Sequence, residues 1–370
     1  MKGELLTRTE CSAMRGIAIL GIMLHNYCHW LKDIVRENEY TWTAAKVDRL
    51  WDVLLHPDAL LPVHILSFFG HYGVPVFLFL SGFGLVMKYE GEADMSQPNH
   101  SILRFIRYNY LKLFRILIVG FVAFTMIDVM TYSPHRYHWD EVVGMLGMFA
   151  NFFEHPSQVI WPGPYWYFGL TLQVYILYRL LFYRWRHWSV IIAAIVLCWL
   201  MQEICLNDPE TLERLRYNCI GGMLPFGMGL LVARVSSEES RSFLGGKSEF
   251  PRSKLPVFSK PVWLLLVIVL CCLIVVMGFN SQSWLWIPFF IVVGTVALVK
   301  VLPPILLRAM VWVGGISAAI FVAHPIVRKL FIRPYIHDDI YAGLILYTVA
   351  SIALAWLFML IINRIPKPKL

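Results

Sequence analysis

The chain has 370 residues, of which 58% are hydrophobic and only 15% are charged. Soluble domains carry about 25% charged residues. With so few polar side chains, the chain cannot cover a water-facing surface, which excludes a soluble globular fold. The net charge of +8 does not by itself indicate a nucleic-acid partner, because loops on the cytoplasmic side of a membrane are also rich in lysine and arginine.

Apolar segments long enough to cross ~30 Å of hydrocarbon recur to the end of the chain. They predict an all-α, polytopic transmembrane helical bundle of about ten spans, forming one membrane-embedded domain over residues 1–370. The predicted spans cover residues 13–31, 64–87, 112–131, 165–184, 187–205, 217–235, 261–279, 284–301, 310–331 and 341–362. The first run is predicted to be an uncleaved span, because no small-residue cleavage site follows it. Residues 236–260 are predicted to form a polar loop.

Charge then predicts the orientation of these spans. With the N-terminus inside, the inside segments contain most of the 32 lysines and arginines, and the outside segments contain most of the 24 acidic residues. Both termini are therefore predicted to face the cytoplasm. We expect an integral protein of the cytoplasmic (inner) membrane, whose partners are membrane lipids and not nucleic acid.

The first span, MRGIAILGIMLHN, carries Arg15 near its start and His25 ten residues later. An ionisable group within a membrane helix is costly and usually marks a functional site. The simpler interpretations are a snorkelling anchor for Arg15 and an interhelical hydrogen bond for His25. The functional interpretation makes His25 a general base, since histidine titrates near neutral pH.

The second span contains GVPVFLFLSGFGL. Pro75 can break the helix and free backbone carbonyls beside a cavity. Gly82 and Gly84 are predicted to permit close approach of another helix. Ser81 has no neighbouring base in the sequence, so alone it indicates only packing.

Between the third and fourth spans, residues 140–153 are amphipathic and too short to span, so they are predicted to lie on the membrane or to re-enter it. Aromatic residues are dense on the outer side. They favour either an interfacial belt or a floor for sugar rings. The aromatic residues concerned are Tyr27, Trp30, Tyr40, Trp42, Trp51, Trp139, Trp161, Tyr165, Trp166 and Tyr167.

These motifs resemble the acyltransferase-3 family of integral membrane acyltransferases. MRGIAILGIMLHN is similar to its first span and GVPVFLFLSGFGL to its second. RFIR and LKLFR at residues 104–107 and 111–115 are similar to its basic loop. YWYFGLTLQVY at 165–175 and AHP at 323–325 are similar to two later segments. The resemblance covers essentially the whole chain.

The resemblance implies an O-acetyltransferase type of enzyme. Such an enzyme moves an acyl group, most often acetyl, from cytoplasmic acyl-CoA to a hydroxyl of a cell-surface polysaccharide or lipid-linked glycan. His25 is then the expected base. Asn26, Tyr167 and Tyr175 are candidate oxyanion donors, Ser81 offers an alternative covalent route, and His324 is a further catalytic candidate. Candidate coenzyme-binding cations are Arg15, Arg107, Lys112 and Arg115. Candidate substrate-binding residues are His71, Trp166 and Gln173.

The sequence also departs from the family pattern. Arg15 and His25 are ten positions apart instead of the usual eleven, which rotates His25 by about 100° and puts Asn26 in its place. A glutamate usual before Gln173 is replaced by Thr171 and Leu172, and no proline follows Arg115. The missing glutamate leaves a catalytically silent binding member of the same fold as an alternative. A transporter or flippase is the other alternative, because ten spans with histidines inside the membrane also suit a proton-coupled carrier. No HExxH motif occurs, and no metal is expected.

Overall fold

The computed structural model describes residues 6–90, 101–131, 134–243, 258–331 and 339–369, with the side chains of 237–243 and 331 left out. These parts of the chain are helical and contain no strand. The predicted polar loop over residues 236–260 is wrong at its start, because α11 continues as helix to Phe243, and residues 244–257 lie outside the described residues. The helical prediction is confirmed.

The longer helices follow the predicted spans in order, except that the predicted span 310–331 is divided at Ile316 between two helices. They are α1 (Arg8–Cys28), α4 (Gly73–Tyr89), α5 (Ile102–Met130), α8 (Trp166–Leu177), α9 (Trp188–Ile204), α11 (Cys219–Phe243), α12 (Lys260–Gly278), α14 (Ile287–Val301), α15 (Pro304–Gly315), α16 (Ser317–Phe331) and α17 (Ile340–Arg364). Shorter helices lie between them. They are α2 (Ala44–Leu55), α3 (Leu61–Phe69), α6 (Trp139–Leu146), α7 (Pro156–Val159), α10 (Pro209–Tyr217) and α13 (Ser281–Trp284).

By length and composition, 5 helical segments of the described chain could cross a membrane. The pair α15 and α16, bent by 76° at its break, would make 6. Helices α9 and α14 are apolar but shorter, and α1 is not among the candidates. The number of about ten spans and the cytoplasmic placement of both termini therefore stay predictions, whereas the integral membrane character is indicated.

Helix α1 lies at the centre of the bundle and contacts α3, α4, α14, α15, α16 and α17. Its start is fixed by a capping box, in which Thr7 Oγ1 accepts from the Glu10 backbone N–H at 3.2 Å and Glu10 Oε2 accepts from the Thr7 N–H at 2.8 Å. Glu10 also pairs with Lys300 of α14 at 2.8 Å. A polar and charged end therefore anchors an otherwise buried helix.

Glycines bring two helix pairs into close backbone contact. A Cβ at Gly16 of α1 would collide with the Met310 carbonyl of α15, and one at Gly82 of α4 would collide with the Phe226 carbonyl of α11. The expected role of Gly82 is thus confirmed. That of Gly84 is wrong, because a Cβ there would meet nothing within 4 Å.

The predicted break in the second span occurs before Pro75. Helix α3 ends at Phe69, residues Gly70–Tyr72 form one 3₁₀ turn, and α4 begins at Gly73. Pro75 is the third residue of α4, where the missing N–H leaves no hydrogen bond unmade. In the last turn of α3, the Ser67 carbonyl accepts a hydrogen bond from His25 of α1.

The amphipathic stretch 140–153 forms the short helix α6 and a 3₁₀ turn, Ala150–Phe152. Between them Met148 has a φ of 59°, a left-handed conformation that reverses the chain. The stretch is too short to span, as predicted.

Candidate functional site

Two cavities lie at opposite ends of α1. The first, of about 440 Å³, lies near Arg15 and is called here the basic cavity. The second, of about 340 Å³, lies around His25 and is called the histidine cavity. The polar residues of the basic cavity are Arg15, Ser81, Lys88, Tyr89, Asn109, Lys112, Tyr167, Thr171, Tyr175 and Ser317. Those of the histidine cavity are His25, Asn26, His29, Asn38, Glu39, Tyr40, His71, Ser157, Tyr167, Tyr217 and Arg328.

The basic cavity has cations from three helices. Arg15 of α1 is half-buried, while Lys88 of α4 and Lys112 of α5 are exposed at its rim. The Lys88 ammonium donates to the Tyr108 hydroxyl at 3.3 Å and lies 4.7 Å from the Tyr108 ring centroid. Gly84 also lines this cavity, which explains why no helix approaches it. The arrangement offers a positively charged entrance to an anionic ligand.

His25 is 8% exposed and has a defined ring orientation. Its Nδ1 lies 2.5 Å from the carbonyl oxygen of Ser67, in the last turn of α3. A carbonyl oxygen can only accept, so Nδ1 donates and the neutral ring keeps its lone pair on Nε2. The Ser67 hydroxyl in turn donates to the Val35 carbonyl at 2.5 Å, which ties α3 to the loop after α1. His25 is therefore held in the tautomer that a general base requires.

Two more histidine rings lie beside His25. The centroids of His29 and His71 are 5.3 Å and 5.4 Å from it. Both ring nitrogens of His71 are buried without a hydrogen-bond partner among the described residues. His71 lines the cavity, and these two ring nitrogens are buried. The Nδ1 of His64, in contrast, accepts from the Val35 N–H at 3.1 Å and supports the loop.

Asn26 is held between two helices. Its Nδ2 donates to the Ile22 carbonyl at 2.9 Å within α1, and its Oδ1 accepts from Arg328 Nη1 of α16 at 2.9 Å. Both His25 and Asn26 line the histidine cavity. Helix α1 runs unbroken from Arg8 to Cys28. The spacing of ten residues from Arg15 to His25 therefore needs no distortion of α1, because both His25 and the next residue, Asn26, reach the histidine cavity.

Aromatic rings form much of the remaining wall of the histidine cavity. Tyr40 stacks on Tyr217 with centroids 4.2 Å apart and meets the edge of Trp166 at 5.2 Å. Trp30 and Trp161 also line the cavity. The outer aromatics therefore include a clustered set around a cavity, in addition to exposed rings such as Trp51 and Trp139.

Tyr167 of α8 and Phe321 of α16 line both cavities, and their ring centroids are 5.6 Å apart. We call this pair the shared wall. The basic side of the wall also has Ser81 and Tyr175. The two rings contact each other edge to face, and a group that crossed the wall they form would move from the cations to His25.

Nine predicted site residues line a cavity. They are Arg15, Ser81, Lys112, Tyr167 and Tyr175 in the basic cavity, and His25, Asn26, His71 and Trp166 in the histidine cavity, with Tyr167 shared by both. Four predicted residues, Arg107, Arg115, Gln173 and His324, line neither cavity.

Each of these four has a different environment. Arg107 is exposed on α5. Arg115 Nη2 donates to the Ile362 carbonyl near the end of α17 at 2.7 Å. His324 is fully buried, with Nδ1 3.0 Å from the Ile320 carbonyl of its own helix.

Gln173 joins α8 to the start of α11. Its Nε2 donates to Asn218 Oδ1 at 2.8 Å, and its Oε1 accepts from the Cys219 N–H at 2.9 Å. Asn218 donates in turn to the Asn151 carbonyl at 2.9 Å, and Asn151 donates to the Trp166 carbonyl at 2.9 Å. This chain of amides positions Trp166 in the wall of the histidine cavity.

Sequence reasoning missed Lys88, Asn109, Glu39 and Arg328 as lining residues. The signal for Arg328 was present, because it follows His324 by one helical turn in an apolar segment. Among the described residues, no group of three or more His, Cys, Asp or Glu side chains is placed to hold a metal ion.

Comparison with known proteins gives one family. The acyltransferase-3 family model, described as an acyltransferase domain, matches residues 10–362. No curated protein and no solved structure matched. Because the family model matches nearly the whole chain, and the bundle contains apolar helices long enough to cross a membrane, the chain belongs to the acyltransferase-3 family of membrane acyltransferases.

Proposed function

We propose that this protein moves an acyl group, in the simplest case acetyl, from cytoplasmic acyl-CoA to a hydroxyl of a cell-surface or lipid-linked glycan. The observation that carries the proposal is a pair of cavities that have Tyr167 and Phe321 as a shared wall, with cations lining one cavity and His25 lining the other. A cytoplasmic membrane is the location at which such a donor and such an acceptor could both reach the protein.

The donor is assigned to the basic cavity. Coenzyme A carries phosphates, and Arg15, Lys88 and Lys112 supply cations at the entrance and within the cavity. The thioester end would extend towards Tyr167 and Phe321. Arg107 and Arg115 are not proposed as coenzyme ligands, because neither lines the basic cavity and Arg115 donates instead to the Ile362 carbonyl.

The acceptor is assigned to the histidine cavity, whose aromatic walls suit the apolar faces of sugar rings. His25 Nε2 takes the proton of the acceptor hydroxyl while its oxygen attacks the thioester carbon. The carbon–sulfur bond breaks, and the proton on His25 passes to the coenzyme thiolate. The Tyr167 hydroxyl and the second Nδ2 hydrogen of Asn26 are the candidate donors to the oxyanion.

Direct transfer is preferred to a covalent route through Ser81. Ser81 lines the basic cavity and His25 lines the histidine cavity, so the serine does not share a cavity with the candidate base. A nucleophilic serine needs a base within hydrogen-bonding distance. Retention of full activity in Ser81→Ala is therefore expected.

The test uses purified protein in detergent, labelled acetyl-CoA and a glycan extract of the host cell surface. Wild type should transfer label, and His25→Gln should lose at least about a hundredfold in kcat while keeping donor binding, since general-base catalysis contributes 10²–10⁴-fold. The control is His56→Gln, an exposed position at the end of α2. Transfer by His25→Gln at the wild-type rate would remove the base assignment.

Mass spectrometry of surface glycans from cells with and without the gene product tests the acceptor class. Acyl groups that depend on wild type and are lost in His25→Gln would support the proposal. A carrier would show neither transfer nor thioester hydrolysis in detergent, and a silent binding member would bind acetyl-CoA without turnover.

A further inference from the structure

Arg328 is a buried cation that faces the histidine cavity. It lies on α16, is 9% exposed, and lines the cavity together with His25, Asn26 and Trp30. A buried charge is usually matched by an opposite charge, because desolvation of an unmatched ion is expensive. The partners of Arg328 therefore indicate what this part of the cavity is built to hold.

Within the described ranges, no carboxylate forms an ion pair with Arg328. Its Nη1 donates to the amide oxygen of Asn26 at 2.9 Å, and the guanidinium carbon lies 5.1 Å from the Trp30 ring centroid. A guanidinium has five N–H donors. The hydrogen bond to Asn26 uses one of these donors. The contact with Trp30 involves the flat face of the guanidinium and uses none of them.

The neighbouring residue provides a comparison within the same helix. Lys329 pairs with the buried Asp128 of α5 at 2.5 Å. Asp128 Oδ2 also accepts from the His135 N–H at 2.8 Å and from the Tyr137 hydroxyl at 3.1 Å. The two adjacent cations therefore differ in their partners. Lys329 forms an ion pair with Asp128, whereas Arg328 lines the histidine cavity and has no carboxylate partner among the described residues.

The acidic side chain that lines the histidine cavity is Glu39. Burial raises the pKa of the Glu39 carboxyl to about 8, and the attraction of the Arg216 guanidinium is the largest influence in the opposite direction. At neutral pH this group is largely protonated and does not supply the missing negative charge. Arg216 Nη1 donates to Gln202 Oε1 at 2.8 Å.

We propose that Arg328, stacked on Trp30 and oriented by Asn26, forms a subsite for an anionic group on the acceptor, either a carboxylate or a phosphate. This rests on the proposed function in assigning the acceptor to the histidine cavity, and it narrows the acceptor class from glycans in general to acidic glycans. The planar guanidinium can bind either group through two parallel hydrogen bonds. Since Asn26 directly follows His25, an acceptor held there has its sugar ring beside the base.

The test is binding of a matched set of small acceptors to purified wild type. The probes are methyl glucuronoside, glucose 1-phosphate and the neutral methyl glucoside, measured by competition and by thermal shift. At least one anionic probe should bind about tenfold or more tighter than the neutral one, because charge-assisted hydrogen bonds are stronger than neutral ones; tenfold corresponds to about 1.4 kcal/mol. The stronger of the two anionic probes identifies carboxylate or phosphate as the source.

Arg328→Gln should remove that preference and bring the anionic probe to the affinity of methyl glucoside, and Arg328→Lys should restore part of it. Arg49→Gln, an exposed arginine on α2, is the charge-matched control and should keep the preference. Wild type that binds no anionic probe tighter than methyl glucoside overturns the proposal. So does an Arg328→Gln protein that keeps the preference.

A second readout separates this proposal from the proposed function. Acetyl-CoA binding at the basic cavity should be unchanged in Arg328→Gln, because the residue lines only the histidine cavity. Loss of transfer by an equal factor for neutral and anionic acceptors would assign Arg328 to the oxyanion and overturn the subsite. If wild type prefers the anionic probe but transfers no acyl group, the anion subsite is supported and the proposed acyltransferase activity is refuted.

Discussion

Two glycines of α4, two positions apart, provide a sharp test of the packing described above. Gly82 faces α11, where a Cβ would come within 3.0 Å of the Phe226 carbonyl oxygen, and Gly84 faces the basic cavity, where a Cβ would meet nothing within 4 Å. Alanine has the same intrinsic helix preference at both positions and gains about 1 kcal/mol over glycine. The two substitutions therefore differ in the space around the new methyl group.

For Gly82→Ala the obstacle is backbone, which cannot rotate away as a side chain can. The helices α4 and α11 must separate, and overpacking of this kind costs about 1–3 kcal/mol. A second contact resists the separation, because a Cβ at Gly229 of α11 would also collide, with the Phe79 carbonyl of α4. We expect Gly82→Ala to be less stable than wild type and Gly84→Ala to be as stable or more stable.

The assay is thermal unfolding of both variants in the same detergent, followed by size-exclusion fluorescence and by intrinsic tryptophan emission. Gly82→Ala should melt several degrees below Gly84→Ala. Gly84→Phe, which fills the cavity, should in addition weaken acetyl-CoA binding without a matching loss of stability. Equal melting temperatures for Gly82→Ala and Gly84→Ala would refute the assignment of the first glycine to a helix contact and of the second to a cavity.

Three further predictions concern charged residues. Lys112→Gln should raise the KM for acetyl-CoA severalfold while leaving kcat nearly unchanged, because Lys112 lines the basic cavity. Arg115→Gln should leave that KM unchanged and lower the melting temperature, because Arg115 joins α5 to α17. The reverse pattern in donor titrations would contradict the placement of both residues. Arg234 Nε and Nη2 each donate to the Glu90 carboxylate at 2.9 Å. Glu90→Gln should therefore destabilise the fold by about 3–5 kcal/mol, as removal of one partner of a buried pair does. An unchanged free energy of unfolding in chemical denaturation would count against the pair. Burial raises the pKa of Glu39 from 4.5 to about 8, so the folded state binds the proton more tightly than the unfolded state does. Stability should therefore fall as pH rises from about 5 to 8, and this dependence should be weaker in Glu39→Gln. An equal pH dependence in both proteins would refute the raised pKa.

The sequence was sufficient for the helical class, the order of the helices and part of the site. Arg15 and His25 could be recognised because an ionisable residue in an apolar run has few structural explanations. Each then proved to line a cavity of its own. Ten helical residues span about 15 Å, so the distance between Arg15 and His25 along α1 follows from the sequence. The division of the site into two cavities does not, because it depends on how the other helices pack.

Long-range pairing decided the cases that sequence reasoning missed. Gln173 and Asn218 are 45 positions apart, and Arg115 and Ile362 are 247 apart. Partners so far apart cannot be predicted from the local sequence pattern. A polar residue in an apolar segment is therefore interpreted as functional even when it only joins two helices. Arg328 was missed for the opposite reason, because a cation near the end of a span resembles an anchor that reaches the interface.

The shared wall has a consequence for kinetics. If the donor occupies one side of Tyr167 and Phe321 and the acceptor the other, the two ligands enter from opposite ends of α1 and never compete for the same space. Transfer should then proceed through a ternary complex in which either ligand can bind first. An inert coenzyme analogue should inhibit competitively against acetyl-CoA and noncompetitively against the acceptor, and double-reciprocal plots should intersect instead of running parallel.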